Sequence, residues 1–275
     1  MADKVGNIGI IAGGGQFPLL AAEAARKRGY TVTALAFEGE TAPEITEIAH
    51  NTEWIGLGQL GKLIKAFKKR DVDKALMAGT ITKGKMFSNI KPDLRGLTFL
   101  SKFVLFHDDN ILRALAGELL NEGIEIVSST TYLPELLAPE LCLTKRRPSG
   151  DEEKDIKIGW RIAKELGRLD IGQCVVIRDK TVLALEAIEG TDNTILRGGK
   201  LAREKAVVVK VCKPNQDLRF DVPSVGPVTV EVMMEVKAGV LAIEAGKTLI
   251  FDKEKMVDLA NKNKISIVSC KLQET

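Results

Sequence analysis

The chain has 275 residues, 45% hydrophobic and 28% charged, a balance that excludes a disordered or fibrous protein and leaves room for one large α/β domain or two smaller ones. Its 40 basic and 37 acidic residues are interspersed and leave a net charge of +3, too weak a field to predict nucleic-acid binding. Two histidines and four scattered cysteines without a CxxC pair exclude a multi-histidine metal centre, a zinc knuckle and a disulfide framework, so any metal must rest mainly on carboxylates. No apolar run approaches the ~20 residues of a membrane span, and the first residues lack a signal-peptide cleavage region, so a cytoplasmic location is expected.

In chain order, residues 8–12 (IGIIA) read as a buried strand running into Gly13, Gly14 and Gly15, followed by Pro18 and an amphipathic helix over 19–28 closed by Gly29. Strands at 31–36, 53–55, 74–79 and 125–128 alternate with helices at 60–69 and 110–121, which predicts a Rossmann-like parallel-sheet domain over residues 1–140. The charge-dense run 145–155 (KRRPSGDEEKD) reads as exposed, and a linker is placed at 141–155. Beyond it, a helix at 155–166 precedes β-type segments at 172–178, 181–187, 206–212 and 229–236, with Arg178, Asp179 and Lys180 as a hairpin turn. Apolar segments at 239–242, 248–251 and 266–269 around a helix at 253–262 return to α/β order. The fold class is therefore α/β: a Rossmann-like N-terminal domain plus a mixed α/β domain over 156–275.

Five groups of residues suggest chemistry. The run Gly13, Gly14, Gly15, Gln16, Phe17 and Pro18 lies between a strand and a helix, where residues without Cβ let backbone N–H groups approach a phosphate. A tight structural turn is the plainer reading, and neither GxGxxG nor a P-loop is present. Gly79 and Thr80 end another strand, with Lys83 and Lys85 behind them, and suit a diphosphate. His107, Asp108, Asp109 and Asn110 precede a helix; capping accounts for one of them, and metal or sugar-hydroxyl contact is the alternative for the others. Glu189, Gly190, Thr191 and Asp192 pack two carboxylates and a hydroxyl into one turn able to ligate a hard cation or hold phosphate. Finally, Lys213, Asp217, Arg219 and Asp221 lie in a loop stiffened by Pro223 and Pro227, which suits a preorganised site. His50 reads as an ordinary surface residue.

The blocks IAGGGQFP, LMAGTITK, ALEAIEGTD and RFDVPSVGP, in this order and over nearly the whole chain, resemble the LpxI family of UDP-2,3-diacylglucosamine pyrophosphatases of lipid A biosynthesis. The resemblance implies two domains with substrate held between them, and Mg²⁺-dependent hydrolysis of UDP-2,3-diacylglucosamine to UMP and 2,3-diacylglucosamine 1-phosphate. It places the essential aspartate at Asp221. On this reading Asp221 is a metal ligand with Asp192 or Glu189, or is instead the base, and Lys213, Lys83 or Arg219 stabilise developing charge. Gly13 to Pro18, Gly79, Thr80, Lys83 and Glu189 to Thr191 bind substrate. The lipid substrate also implies transient contact with the inner face of the inner membrane, for which the Phe-rich stretch 87–106 is the candidate and a core helix the plainer account. A homodimer is left open. The competing classes are a nucleotide-binding regulatory or scaffolding protein without turnover, and a dehydrogenase, disfavoured because GxGxxG is missing.

Overall fold

Strands that are apolar on both faces belong inside a sheet covered by helices, and the N-terminal half supplies several of them. The computed structural model describes residues 6–81, 92–101, 108–128 and 130–272, without the side chains of 108–110. The N-terminal elements are β1 (Asn7–Ala12), α1 (Phe17–Lys27), β2 (Thr31–Phe37), α2 (Ile45–Ile48), β3 (Asn51–Ile55), α3 (Leu60–Lys68), β4 (Lys74–Ala78), α4 (Leu94–Leu100), α5 (Asp108–Asn121) and β5 (Glu125–Ile126). The five strands form one parallel sheet in the order β3-β2-β1-β4-β5. β1 is central and almost wholly buried. Gly9 is required in it because a Cβ there would stand 2.6 Å from the Phe67 ring of α3, so the missing side chain lets the helix close on the sheet.

The C-terminal elements are β6 (Leu141–Cys142), α6 (Gly150–Arg168), β7 (Cys174–Arg178), β8 (Thr181–Leu185), α7 (Gly190–Ala202), β9 (Val207–Lys210), β10 (Ser224–Val225), α8 (Pro227–Glu235), β11 (Val240–Glu244), β12 (Leu249–Ile250), α9 (Lys253–Lys262) and β13 (Ser266–Cys270). Six of these strands make a mixed sheet in the order β6-β13-β11-β9-β7-β8, parallel among β13, β11 and β9 and antiparallel elsewhere. The turn between β7 and β8 has Asp179 and Lys180 both at positive φ, 49° and 63°, the backbone of a two-residue hairpin. Apolar cores lie on both faces of the sheet: Ile156, Trp160 and Ala163 of α6 pack with one, while Ile195 of α7 and Met233 of α8 belong to the other.

The chain divides into two compact units, Met1–Pro134 with Asp217–Phe220, and Glu135–Gln216 with Asp221–Thr275. The expected linker at 141–155 is instead part of the second unit. Residues 141 and 142 pair with β13, and Ser149 and Glu152 form a reciprocal capping box that starts α6 at Gly150. Two further segments differ from expectation. Residues 229–236, read as a strand from their β-branched content, lie largely in α8, started by Pro227 in its first turn. The turn expected at Glu189 to Asp192 is the beginning of the 13-residue helix α7, with Glu189 at its N-cap.

Candidate active site

In the N-terminal unit the two glycine turns meet. The strand order reverses direction between β1 and β4, and in open α/β sheets ligands lie beyond the carboxyl ends of the strands at such a switch point. Gly13 N–H donates to Ala78 O at 2.8 Å, Gly14 N–H to Thr80 O at 2.7 Å, and Thr80 N–H back to Gly14 O at 3.1 Å. These donors are therefore used in joining the turns. The close approach explains the glycines: a Cβ on Gly13 would lie 2.7 Å from Thr80 O, and one on Gly79, itself at φ +86°, 2.4 Å from Gly14 O. Gly15, also at φ +86° and open on its Cβ side, is exposed with Gln16 at the start of α1, and Pro18 is buried within its first turn.

Beside these turns the N-terminal unit holds an apolar cavity of about 340 Å³. Its floor is the carboxyl ends of four strands, through Ile11 and Gly13, Phe37, Ile55, and Ala78 with Gly79. α3, α4 and α5 and the side chain of Phe220 supply further walls, and among the described residues Gln59 is the one polar side chain in the lining. The Phe-rich stretch is divided by this arrangement. Phe99 and Leu100 face the cavity, whereas Leu94 and Leu97 are 88% and 58% exposed; residues 87–91 and 102–106 lie outside the described residues.

In the C-terminal unit the loop following β9 carries Lys213, Gln216 and Asp221. Gln216 Oε1 accepts from Lys213 N–H at 2.9 Å and from the Cys212 thiol at 3.3 Å. This fixes the amide orientation, and the other end, Nε2, donates to Asp221 Oδ2 at 2.5 Å. Asp221 is exposed, and among the described residues its Oδ1 has no hydrogen bond. The base of the loop is tied to the sheet by a buried ion pair: Lys164 Nζ of α6 lies 2.8 Å from Glu244 Oε2 of β11 and donates to Cys212 O at 3.0 Å, while Cys212 N–H donates to the same carboxylate at 2.9 Å. Lys210, at the end of β9, donates to Ser224 O at 2.8 Å and fixes the far end of the loop. Burial pushes the Cys212 thiol up to about 11, with Glu244 and Asp221 adding negative field against Lys247 and Lys164, so this cysteine is not a nucleophile.

The other expected residues are occupied in different ways. Lys213 pairs with Asp170 at 2.6 Å. Arg219 grips Asp217 through Nε at 2.9 Å and Nη2 at 2.7 Å, and its guanidinium holds the Asp217 carboxyl below the usual range. Glu189 accepts from Arg197 at 2.5 Å and from Ala187 N–H at 3.1 Å, and Arg197 holds it below the usual range. Thr191 donates to the buried Glu186 at 2.9 Å. Gly190 takes φ +80° at the start of α7, and Asp192 is exposed in that helix's first turn. Lys83, Lys85 and His107 lie outside the described residues, as do the side chains of Asp108, Asp109 and Asn110 at the start of α5.

No group of three or more His, Cys, Asp or Glu able to hold a metal is found among the described residues. Gln216, Lys164, Glu244 and Lys210 were not singled out from sequence. Their only local signal is a charged residue closing an apolar strand, as in VVVK (207–210) and VLAIE (240–244), since Lys164 and Gln216 gain their meaning from partners 80 and 5 positions away.

Comparison with known proteins gives the family of both units. Residues 7–136 match the LpxI N-terminal domain and residues 139–268 the LpxI C-terminal domain. A protein of Caulobacter vibrioides named UDP-2,3-diacylglucosamine pyrophosphatase LpxI is 32% identical over 267 residues, covering 92% of this chain and 94% of that protein. Among solved structures, the biotin carboxylase subunit of pyruvate carboxylase (TM-score 0.27, 15% identity, 62% of this chain and 34% of that one) is too distant to bear on fold or function. N5-carboxyaminoimidazole ribonucleotide synthetase from Thermotoga maritima (TM-score 0.24, 14% identity, 68% and 42%) is equally remote. With both domains matched in order and a relative aligned end to end, the chain belongs to the LpxI family.

Proposed function

We propose that this chain hydrolyses the diphosphate of UDP-2,3-diacylglucosamine to UMP and 2,3-diacylglucosamine 1-phosphate, as a step in lipid A synthesis. The observation that carries this reading is the 32% identity, over 92% of the chain, to a protein named for that activity.

Diphosphate cleavage needs charge neutralisation and an oriented water rather than covalent help from the protein. Asp221 carries the chemistry in this proposal. Its Oδ2 is held by Gln216 while Oδ1 is open to solvent, which fits a Mg²⁺ ion held by one or two carboxylates and otherwise by water and substrate phosphate. Asp192, exposed on α7, is the second candidate ligand. The ion, when bound, neutralises phosphate charge and acidifies its water. Asp221 would orient the attacking water from the open side of its carboxylate, and Lys213 would reach a phosphate by exchanging Asp170 for it. Gly15 and Gln16 offer the start of α1 to the nucleotide phosphates, with Gly79 and Thr80 of the adjoining turn; Lys83, the further proposed contact, lies outside the described residues. Leu94 and Leu97, both exposed, are the proposed points of passing contact with the inner membrane, from a cytoplasmic, peripheral position.

The test is incubation with UDP-2,3-diacylglucosamine in detergent micelles, with Mg²⁺ or with a chelator, and identification of products by mass spectrometry. Metal-dependent appearance of UMP and the sugar 1-phosphate is expected. Intact substrate after incubation with folded protein would contradict the proposal, and release of UDP in place of UMP would assign a different bond.

A further inference from the structure

Two buried charged side chains of the C-terminal unit belong to no ion pair among the described residues. Lys210, 8% exposed at the end of β9, donates to Ser224 O at 2.8 Å and meets no carboxylate. Glu186, 7% exposed just after β8, accepts from Thr191 Oγ1 at 2.9 Å and from Gln173 N–H at 3.1 Å and meets no cation. Burying a charge away from water costs stability unless an opposite charge or several hydrogen bonds compensate it. Neither residue is therefore explained as a staple of the fold in the way that Lys164 and Glu244 are.

The sheet sets the two in one row. Cys174 of β7 lies opposite Lys210 of β9, and on its other side Glu186 N–H donates to Cys174 O at 2.9 Å, continuing the pairing of Val175 with Leu185. Residues directly opposite on neighbouring strands point to the same face. The ammonium and the carboxylate thus rise on either side of one wholly buried thiol, on the face whose core includes Ile195 of α7. Burial pushes that thiol up; Glu186 pushes it the same way, Lys210 opposes, and Asp192 adds to the rise, so all three charges reach it. From this row Lys210 holds the chain three residues after Asp221, and Glu186 holds it one residue before Asp192.

We propose that Lys210 and Glu186 are positioning residues: neither touches substrate, and through Ser224 and Thr191 they set Asp221 and Asp192 against each other from one row of the sheet. The inference rests on the activity proposed above and on these two aspartates as its carboxylates. Strands hold a site more precisely than loops do, so side chains of β9 and of the end of β8 bring two carboxylates from separate segments to one geometry. Displacing a reacting group by about 1 Å costs about a hundredfold in rate, while a substrate held by other residues binds as before.

The experiment measures the single-turnover rate of UMP release from UDP-2,3-diacylglucosamine, and KM, in Lys210→Met, Lys210→Arg and Glu186→Gln. It repeats Lys210→Met in an Asp221→Asn background and Glu186→Gln in an Asp192→Asn background. Lys210→Met and Glu186→Gln should each lower the rate by about tenfold or more and leave KM within about twofold. Lys210→Arg, which keeps a charged donor for Ser224 O, should fall between. In the aspartate backgrounds the same changes should cost less than about twofold, because the group they place is already gone. A residue that only steadied the fold would cost as much in either background. Full cost in the double variants, or an unchanged rate in folded Lys210→Met and Glu186→Gln, would overturn the inference and leave the hydrolase standing. If Lys210→Met fails to fold, Glu186→Gln, which keeps the shape of the side chain, decides alone. No turnover by the unaltered protein would sink the parent reading and this one with it.

Discussion

Gln216 holds Asp221 with one end of its amide and the backbone of Lys213 with the other, so two roles for it can be separated by substitution. Gln216→Glu keeps the acceptor for Lys213 N–H but replaces the donor to Asp221 by a second carboxylate. Gln216→Ala removes both. If orientation of Asp221 is what matters, kcat falls in both variants by about 10- to 100-fold, the scale of a misplaced reactive group, with Glu at least as damaged as Ala and KM little changed. Activity retained in Gln216→Glu would reduce the residue to an anchor of the turn. Asp221 itself was legible through the FDVPSVGP block, and the glycine turns through their spacing. Gln216 was not, because a glutamine in a loop carries no signal until the loop's path brings its amide against a carboxylate.

Elements are placed in the C-terminal unit by one buried ion pair. Lys164 and Glu244, 7% and 8% exposed by side chain, join α6 to β11 and also hold the backbone at Cys212. Removing one partner of such a pair strands the other, at a cost of about 3–5 kcal/mol, so Lys164→Met or Glu244→Gln should lower the unfolding free energy at pH 7, read from urea titrations, by that much. Burial raises the Glu244 carboxyl, but Lys164, Lys247 and the Cys212 N–H outweigh it, and the group sits below its usual value. A depressed folded value gives stability that is present above the unfolded value of about 4.3 and lost as pH falls through the folded one. The gap between unaltered protein and Glu244→Gln in urea titrations should therefore shrink below about pH 4; a gap independent of pH would contradict the assignment. Sequence pattern found the strands and helices wherever period and flanks agreed. It misread 229–236, where a proline start outweighs β-branched composition, and the turn at Glu189 to Asp192, the start of a helix that Gly198 and Gly199 disguise although it needs them: a Cβ would stand 2.5 Å from Val176 and 2.2 Å from Val236.

At the scale of the whole molecule, alternating elements gave the parallel N-terminal sheet and the mixed C-terminal one, but not the path of the chain between units. Residues 141–155 are charged and punctuated by proline and glycine, the composition of a linker. Their real role, an edge strand and a capped helix start, follows from pairing with β13, 120 or so residues later. Nor does sequence reveal that 217–220 belong with the N-terminal unit, since that depends on an apolar seat for one phenylalanine.

The central claim is that Asp221 acts in cleavage of the diphosphate and not in holding the substrate. Asp221→Asn keeps the shape of the side chain and an acceptor for Gln216 Nε2 while removing the charge. Measured side by side, single-turnover release of UMP from UDP-2,3-diacylglucosamine should fall by about 10³-fold or more, the scale of losing a preorganised charge at a reaction centre. Affinity for the uncleaved substrate, by calorimetry in the same micelles, should stay within a few-fold. Turnover near that of the unaltered protein in Asp221→Asn would place the chemistry on other residues and contradict the account.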